Sequence, residues 1–109
     1  MQVIHNSVQS AVAPDAASIE HRYDTTTGVI ANNLASYVIR RLDASALDED
    51  TNLENVGADT WFYPAGGDFH TAPGATWAVD QGSTAHTLPD DVDGEPRDDG
   101  LPDVGADER

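Results

Sequence analysis

Apolar residues come in short bursts along this chain. Val3–Ile4, Val29–Ile30 and Tyr37–Ile39 are brief runs of β-branched and aromatic side chains, each broken nearby by Asn, Gly, Thr or Asp. Runs this short, bounded by turn formers, predict strands of about three to five residues. Only Ala44–Asp50, ASALDED, offers a helical turn, and a bulging loop fits that stretch equally well. The expected fold class is therefore all-β.

The bursts recur. Ser18–Asp24 can be laid over Tyr37–Asp43, so that Arg22 matches Arg41 and Asp24 matches Asp43 at an offset of 19. Val29–Asn33 can be laid over Asn52–Val56, matching Asn33 to Asn55 at an offset of 22, and Val3–Ser7 supplies an earlier partner, with Asn6 lying 27 residues before Asn33. Repeats of this period indicate a solenoid, with loops of variable length between coils. A leucine-rich repeat is excluded by the missing Leu pattern. Asn at a matching turn position has a physical use: its amide bonds the backbone, tolerates a left-handed conformation and can bond the next amide in a ladder. Asn6, Asn33 and Asn55 are the expected ladder.

The chain changes character at Gly57. It becomes turn-rich and aromatic, with Gly66-Gly67 and prolines at 64, 73, 89, 96 and 102. Three regions are expected: coils over 1–56, an aromatic cap over 57–83, and an extended acidic strap over 84–109. The stretches GDFHTAPGATWAVDQGS, DVDGEPR and DVGADE resemble the closing segment of right-handed parallel β-helix proteins of the secreted, carbohydrate-associated kind, which often read DFHLxxGSPAxDxG, then DxDGxPR, then DxGAxE. Ile4–Val8, Ser18–Arg22, Ile30–Leu34 and Ile39–Asp43 resemble their coils. The departures are Leu42, inserted between Arg41 and Asp43, Thr71 in place of Leu, and Ala75–Ala78 in place of Ser-Pro-Ala-x.

The resemblance implies two to three coils of a right-handed parallel β-helix with a C-terminal cap, belonging to a secreted or surface-exposed parent. Several relatives are polysaccharide lyases. The expected role is structural, that of a coil-and-cap region non-catalytic by itself. Its partners would be upstream coils or a second copy of the chain, because an open coil edge invites pairing. The alternatives are a fragment of a polysaccharide lyase or other carbohydrate-active enzyme, and a glycan-binding surface module, with polysaccharide as the ligand in both.

Charge narrows the partners. Twenty acidic residues face five basic ones, all Arg, for a formal net charge of −15 over 109 residues. Nucleic acid and anionic membrane both require a basic patch, so neither is expected as a partner. Screening lengths fall from roughly 30 Å at 0.01 M salt to 3 Å at 1 M, so self-repulsion of this size is relieved in brine. A halophilic, high-salt setting is expected, with a melting temperature that climbs steeply from low to molar KCl; a flat response would remove the idea. Cysteine is absent, which excludes disulfides, thiolate zinc sites and a Cys nucleophile. MQVIHNSVQS lacks the basic and apolar regions of a signal peptide.

Candidate chemistry is thin. β-Elimination from a uronic acid needs a base, a group neutralising the carboxylate, and often Ca²⁺. Arg22 and Arg41 are candidates for holding an acidic sugar and Glu20 for helping to hold a metal. The plainer reading is that each Arg pairs with a neighbouring Asp, Asp24 or Asp43. Asp91 and Asp93 are candidate Ca²⁺ ligands, but Gly94 and Pro102 fall where an EF-hand needs other residues. The plainer reading there is a turn, with Arg97 paired to Asp93, Asp103 or Asp107 and pinning the strap. No cofactor is otherwise expected. His5, His21, His70 and His86 lack zinc-ligand spacing, and His70 in Asp68-Phe69-His70 suits a structural hydrogen bond. Trp61, Phe62, Tyr63 and Trp77 are expected to cover the apolar end of the core, with stacking on sugar rings as the alternative.

Overall fold

The computed structural model describes residues 1–10, 17–42, 46–98 and 100–109. Among these the chain is all-β, with short 3-10 turns and no α-helix. Strand β1 (Gln2–Ile4) lies beside β4 (Gly28–Ala31), which lies beside β7 (Leu47–Asp50); both pairings are parallel. Strand β2 (Ser7–Val8) pairs in parallel with β5 (Leu34–Ala35), and β3 (Ile19–His21) with β6 (Ile39–Arg41). A single parallel bridge, Leu34 to Leu53, extends the β2–β5 pair. The sheets are small. Parallel partners cannot be joined by a hairpin, so each pairing spans a long connection.

The register corrects two sequence alignments. Gly28 faces Leu47, an offset of 19, and the same offset carries Asn33 to Asn52, not to Asn55. Ile19 faces Ile39 and His21 faces Arg41, an offset of 20. Leu42 is thus absorbed by the pairing, and Arg22 does not stand opposite Arg41. Ala44–Asp50 forms no helical turn where it is described: Leu47–Asp50 is β7, with 43–45 outside the described residues. Its LDED sequence lacks a core-facing alternation, and backbone pairing to β4 holds it extended.

One turn recurs three times. His5 after β1, Asn32 after β4 and Thr51 after β7 have φ of 53°, 56° and 49°. Each precedes an Asn: Asn6, Asn33 and Asn52. A left-handed residue bends the strand sharply, and the following Asn spans the bend with its amide. Thr, being β-branched, accepts this conformation less readily than Asn or His, so the neighbouring bonds must hold it at Thr51. Asn55 is also left-handed, with φ of 58°, but it lies on an exposed turn.

After Leu53 the pattern changes. Strands β8 (Trp61–Tyr63) and β9 (Asp68–Thr71) form an antiparallel hairpin. Gly67 sits at its turn with φ of 88°, a value natural only to glycine. Trp61 packs edge-on against Phe69 at 5.6 Å and joins Leu34, Ala78 and Val104 in the core. Of the four aromatics expected to cap that core, Trp61 alone is buried. Phe62, Tyr63 and Trp77 are 62%, 64% and 46% exposed. For Phe62 the cause is the pleat, since successive residues of a strand point to opposite faces; Tyr63 follows an irregularity in the β8–β9 register.

The end of the acidic tail turns inward. Pro102–Gly105, Asp107 and Glu108 are buried, and Val104 is completely enclosed. Burying one Val side chain contributes about 1.5–3 kcal/mol, a large share for a core this small. Backbone bonds stitch the tail inward, Val104 N–H donating to Ala78 and Gly105 N–H to Asn32.

Candidate functional site

Three groups of polar side chains carry the chemistry. The first runs along the recurring turn. Asn33 Oδ1 accepts from Asn6 N and Nδ2, both at 3.0 Å, while its Nδ2 donates to Val3 O at 2.8 Å and to Asn52 Oδ1 at 2.9 Å. Asn52 Nδ2 in turn donates to Ile30 O at 2.8 Å. Asn55 takes no part in this chain of amides; the third member is Asn52, as the 19-residue register requires. The ladder has a direction, each Oδ1 accepting from the Asn of the preceding strand set. Among the described residues, Asn6 Oδ1 receives no such donor.

Asn32 and His5 form a buried annex to this ladder. Asn32 Nδ2 donates to Ser83 O and His86 O, and Oδ1 accepts from Ser83 N. His5 Nδ1 lies 3.2 Å from Gly105 O, and Asn32 Nδ2 lies 3.1 Å from His5 Nε2. The neutral ring protonated on Nδ1 satisfies both contacts. Burial first, then the Arg97 guanidinium, lowers the His5 pKa to about 4, so the ring stays neutral at pH 7.

The second group surrounds Glu20. Arg40, directly opposite on β6, donates to its Oε2 at 2.5 Å, and Arg22 contacts its Oε1. The bonds from Arg40, then Arg22, hold the Glu20 carboxyl below its usual range. Arg41 stands 3.6 Å from Glu49 of β7. The sequence candidates Arg22, Arg41 and Glu20 are therefore distributed over two clusters, one with two arginines on a single carboxylate and one a single pair. Their partners are Glu20 and Glu49, not the neighbouring Asp24; Asp43 lies outside the described residues. The parallel pairing brings distant carboxylates across the sheet, which linear spacing could not reveal.

The third group lines an open cleft of about 500 Å³ bordered by Phe62, Pro73 and Arg109. His70 occupies its centre. Nδ1 meets Asp68 Oδ1 at 2.6 Å and Nε2 meets Asp93 Oδ2 at 2.5 Å. Bonds from Asp68, then Asp93, raise the His70 pKa to about 9, so at neutral pH the ring is protonated on both nitrogens and donates to both carboxylates. Asp107 joins from the tail. It is 4% exposed, and its Oδ2 accepts the Thr71 N–H at 2.7 Å. One donor atom each from His70, Asp93 and Asp107 lies within 4.8 Å of the others.

The calcium candidates separate. Asp91 Oδ1 accepts the N–H groups of Asp93 and Glu95, both at 2.8 Å, and Oδ2 accepts that of Glu108 at 3.2 Å. Burial raises its pKa, but the bonds from Glu95, Glu108 and Asp93 outweigh that and leave it lowered. Asp91 is thus committed to shaping its turn, and Asp93 alone faces the cleft. The expected strap ion pair also changes partner. Arg97 Nη1 binds Glu108 Oε2 at 2.7 Å and reaches the backbone carbonyls of Asp103 and Asp107 at 3.4 and 3.5 Å. Asp93 is engaged with His70 instead. The residues missed from sequence are Asn32, Asn52, Glu108 and the His70–Asp107 pairing; only Asn52 carried a legible signal, as an Asn 19 residues after Asn33.

Comparison with protein-family models, with curated proteins and with solved structures yields no match.

Proposed function

We infer that this chain is a structural coil-and-cap element: the terminal coils of a right-handed parallel β-helix, closed at one end and open to further coils at the other. The observation that carries the reading is the directional Asn ladder, in which, among the described residues, Asn6 Oδ1 receives no Asn donor. A preceding coil with Asn at the same turn would donate to that oxygen as Asn6 donates to Asn33.

The two outer strands of the sheet support the same polarity. Strand β7 reads Leu-Asp-Glu-Asp, and carboxylates along an edge discourage another strand from adding to it. Strand β1 reads Gln-Val-Ile and has no such guard. Val29 N–H donates to Met1 O and His5 N–H to Ala31 O. By the parallel pattern, the N–H groups of Val3 and His5 face β4, while those of Gln2 and Ile4 face away. The occupant of this edge is another coil, supplied by a longer parent or by a second copy.

Sedimentation velocity over a range of concentrations tests the reading in high salt. The chain is expected to self-associate reversibly. Gln2→Pro removes one outward N–H at an exposed position and is expected to weaken association about tenfold, the equivalent of one ladder hydrogen bond. A monomer at all concentrations, or association indifferent to Gln2→Pro, would overturn it. The exposure of Phe62, Tyr63 and Trp77 favours a second reading, glycan binding, although Phe62 and Tyr63 face opposite sides of β8 and form no single stacking platform.

A further inference from the structure

We propose that His70, Asp93 and Asp107 form a binding site for a single divalent transition-metal ion, Zn²⁺ or Mn²⁺, with open coordination positions facing the cleft beside Phe62. The donors come from three separate segments: β9, the turn after Asp91, and the buried tail. Metals of this size hold N and O ligands at about 2.0–2.2 Å, which places neighbouring donors about 3.0–3.5 Å apart. The three donor atoms lie within 4.8 Å of one another, so the exposed His70 and Asp93 side chains reach that spacing by small rotations.

The surroundings are those of a built ligand set. Asp68 accepts from Nδ1 of His70, an arrangement that fixes the ring, and the metal would replace the proton that now lies between Nε2 and Asp93 Oδ2. Carboxylate support of a ligating His is the commonest outer contact in such sites. Asp107 is almost wholly buried and anchored by the Thr71 N–H, so one ligand is rigid while two adjust. Asp68, Asp93, Glu95 and Asp107 outnumber the one cleft arginine not committed to a carboxylate, Arg109, which donates to Ala72 O. The imidazole nitrogen and the small donor number suit Zn²⁺ or Mn²⁺ over Ca²⁺, which takes six to eight oxygens. Three protein ligands leave room for water or a ligand oxygen, as in sites that polarise a bound group.

The test is calorimetric titration of the chelator-stripped intact chain with ZnCl₂, MnCl₂ and CaCl₂, alongside imidazole ¹⁵N chemical shifts. One equivalent of Zn²⁺ or Mn²⁺ is expected to bind, with Ca²⁺ at least about tenfold weaker. With Zn²⁺, the His70 Nε2 resonance is expected to move to the metal-bound range. His70→Gln and Asp93→Asn change exposed side chains, leave the fold intact by circular dichroism, and should each weaken binding by about 10- to 100-fold. Several equivalents bound with no loss in either variant would mean diffuse attraction to an acidic surface and would overturn the site. So would an unmoved His70 resonance or no uptake at millimolar metal. None of these outcomes depends on whether β1 pairs with another coil.

Discussion

Arg97→Met is expected to destabilise the folded chain by about 3–5 kcal/mol, the usual consequence of breaking a buried ion pair from one side. The Arg97 and Glu108 side chains are 1% and 5% exposed and meet at 2.7 Å. Met fills much of the same volume but leaves Glu108 charged and enclosed. It also strands the tail: Nη2 donates to Gly105 O at 3.1 Å and Ala106 O at 2.8 Å, while Nη1 reaches the Asp103 and Asp107 carbonyls at 3.4 and 3.5 Å. Glu108 Oε2 also accepts the Asp103 N–H at 2.9 Å, so the pair closes a loop of the chain on itself. Val104 sits inside that loop, and its place in the core depends on it. Small domains are stable by about 5–15 kcal/mol in total, so this single change threatens the folded state. Urea unfolding measures it. Two controls separate the contributions. Arg97→Met with Glu108→Met removes both charges and should recover part of the loss, but not all, because the carbonyls of residues 103, 105, 106 and 107 each lose a donor, Gly105 O keeping only His5 and Ala106 O keeping Val92 N–H. Molar salt should leave the deficit in place, since buried charges are little screened. A loss below about 1 kcal/mol would mean that Arg97 behaves as a surface residue and that the tail is held by something else.

The sequence made parts of this arrangement legible because some signals are local. Short apolar runs flanked by turn formers correspond to β1, β4 and β6, and the recurrence of Asn at turns led to Asn6 and Asn33. What failed was register. Matching Asn33 to Asn55 by the residues around them gave an offset of 22, whereas backbone pairing of β4 with β7 enforces 19. Strand β7 was invisible because Leu47–Asp50 has the composition of an exposed loop; its conformation comes from the neighbour it pairs with, not from its own side chains. The tail misled for a related reason. A stretch as acidic as Asp103–Glu108 reads as a solvated surface, yet Arg97 neutralises it at a sequence distance of 11. The cleft was beyond local reading altogether. Asp68, Asp93 and Asp107 converge on His70 from segments up to 39 residues apart, and no spacing in the chain marks that meeting.

Asn33→Ala should destabilise the protein by about 3 kcal/mol, Asn52→Ala by about 2, and Asn55→Ala by about 1. The order follows from what each side chain does. Asn33 is fully buried and uses all of its amide: two bonds accepted, two donated. Alanine there leaves the Asn6 N–H without its side-chain partner and takes one donor each from Val3 O and from Asn52 Oδ1, which keeps the backbone N–H of residue 33. Asn52 is half-buried and ends the ladder, so water can replace part of its bonding. Asn55 contributes only its tolerance of φ at 58° on an exposed turn, and alanine loses that tolerance alone. Asn33→Asp is the sharper control. It preserves size and acceptor capacity but puts a carboxylate against Val3 O and Asn52 Oδ1, both acceptors, and should be at least as damaging as Asn33→Ala. Melting temperatures in high salt, where net repulsion is screened, rank the four variants. Asn55→Ala equalling or exceeding Asn33→Ala would return the third ladder position to Asn55 and shift β7 by three residues against β4. That shift would not be a detail. These strands are two to four residues long, too short for their own ladders to specify alignment, and a one-residue slip turns every side chain to the opposite face. The amides of Asn6, Asn33 and Asn52 run across all three strand sets at a fixed point in each turn. They set which side chains of β4 and β5 point inward, and hence whether Ile30 and Leu34 have a core to fill.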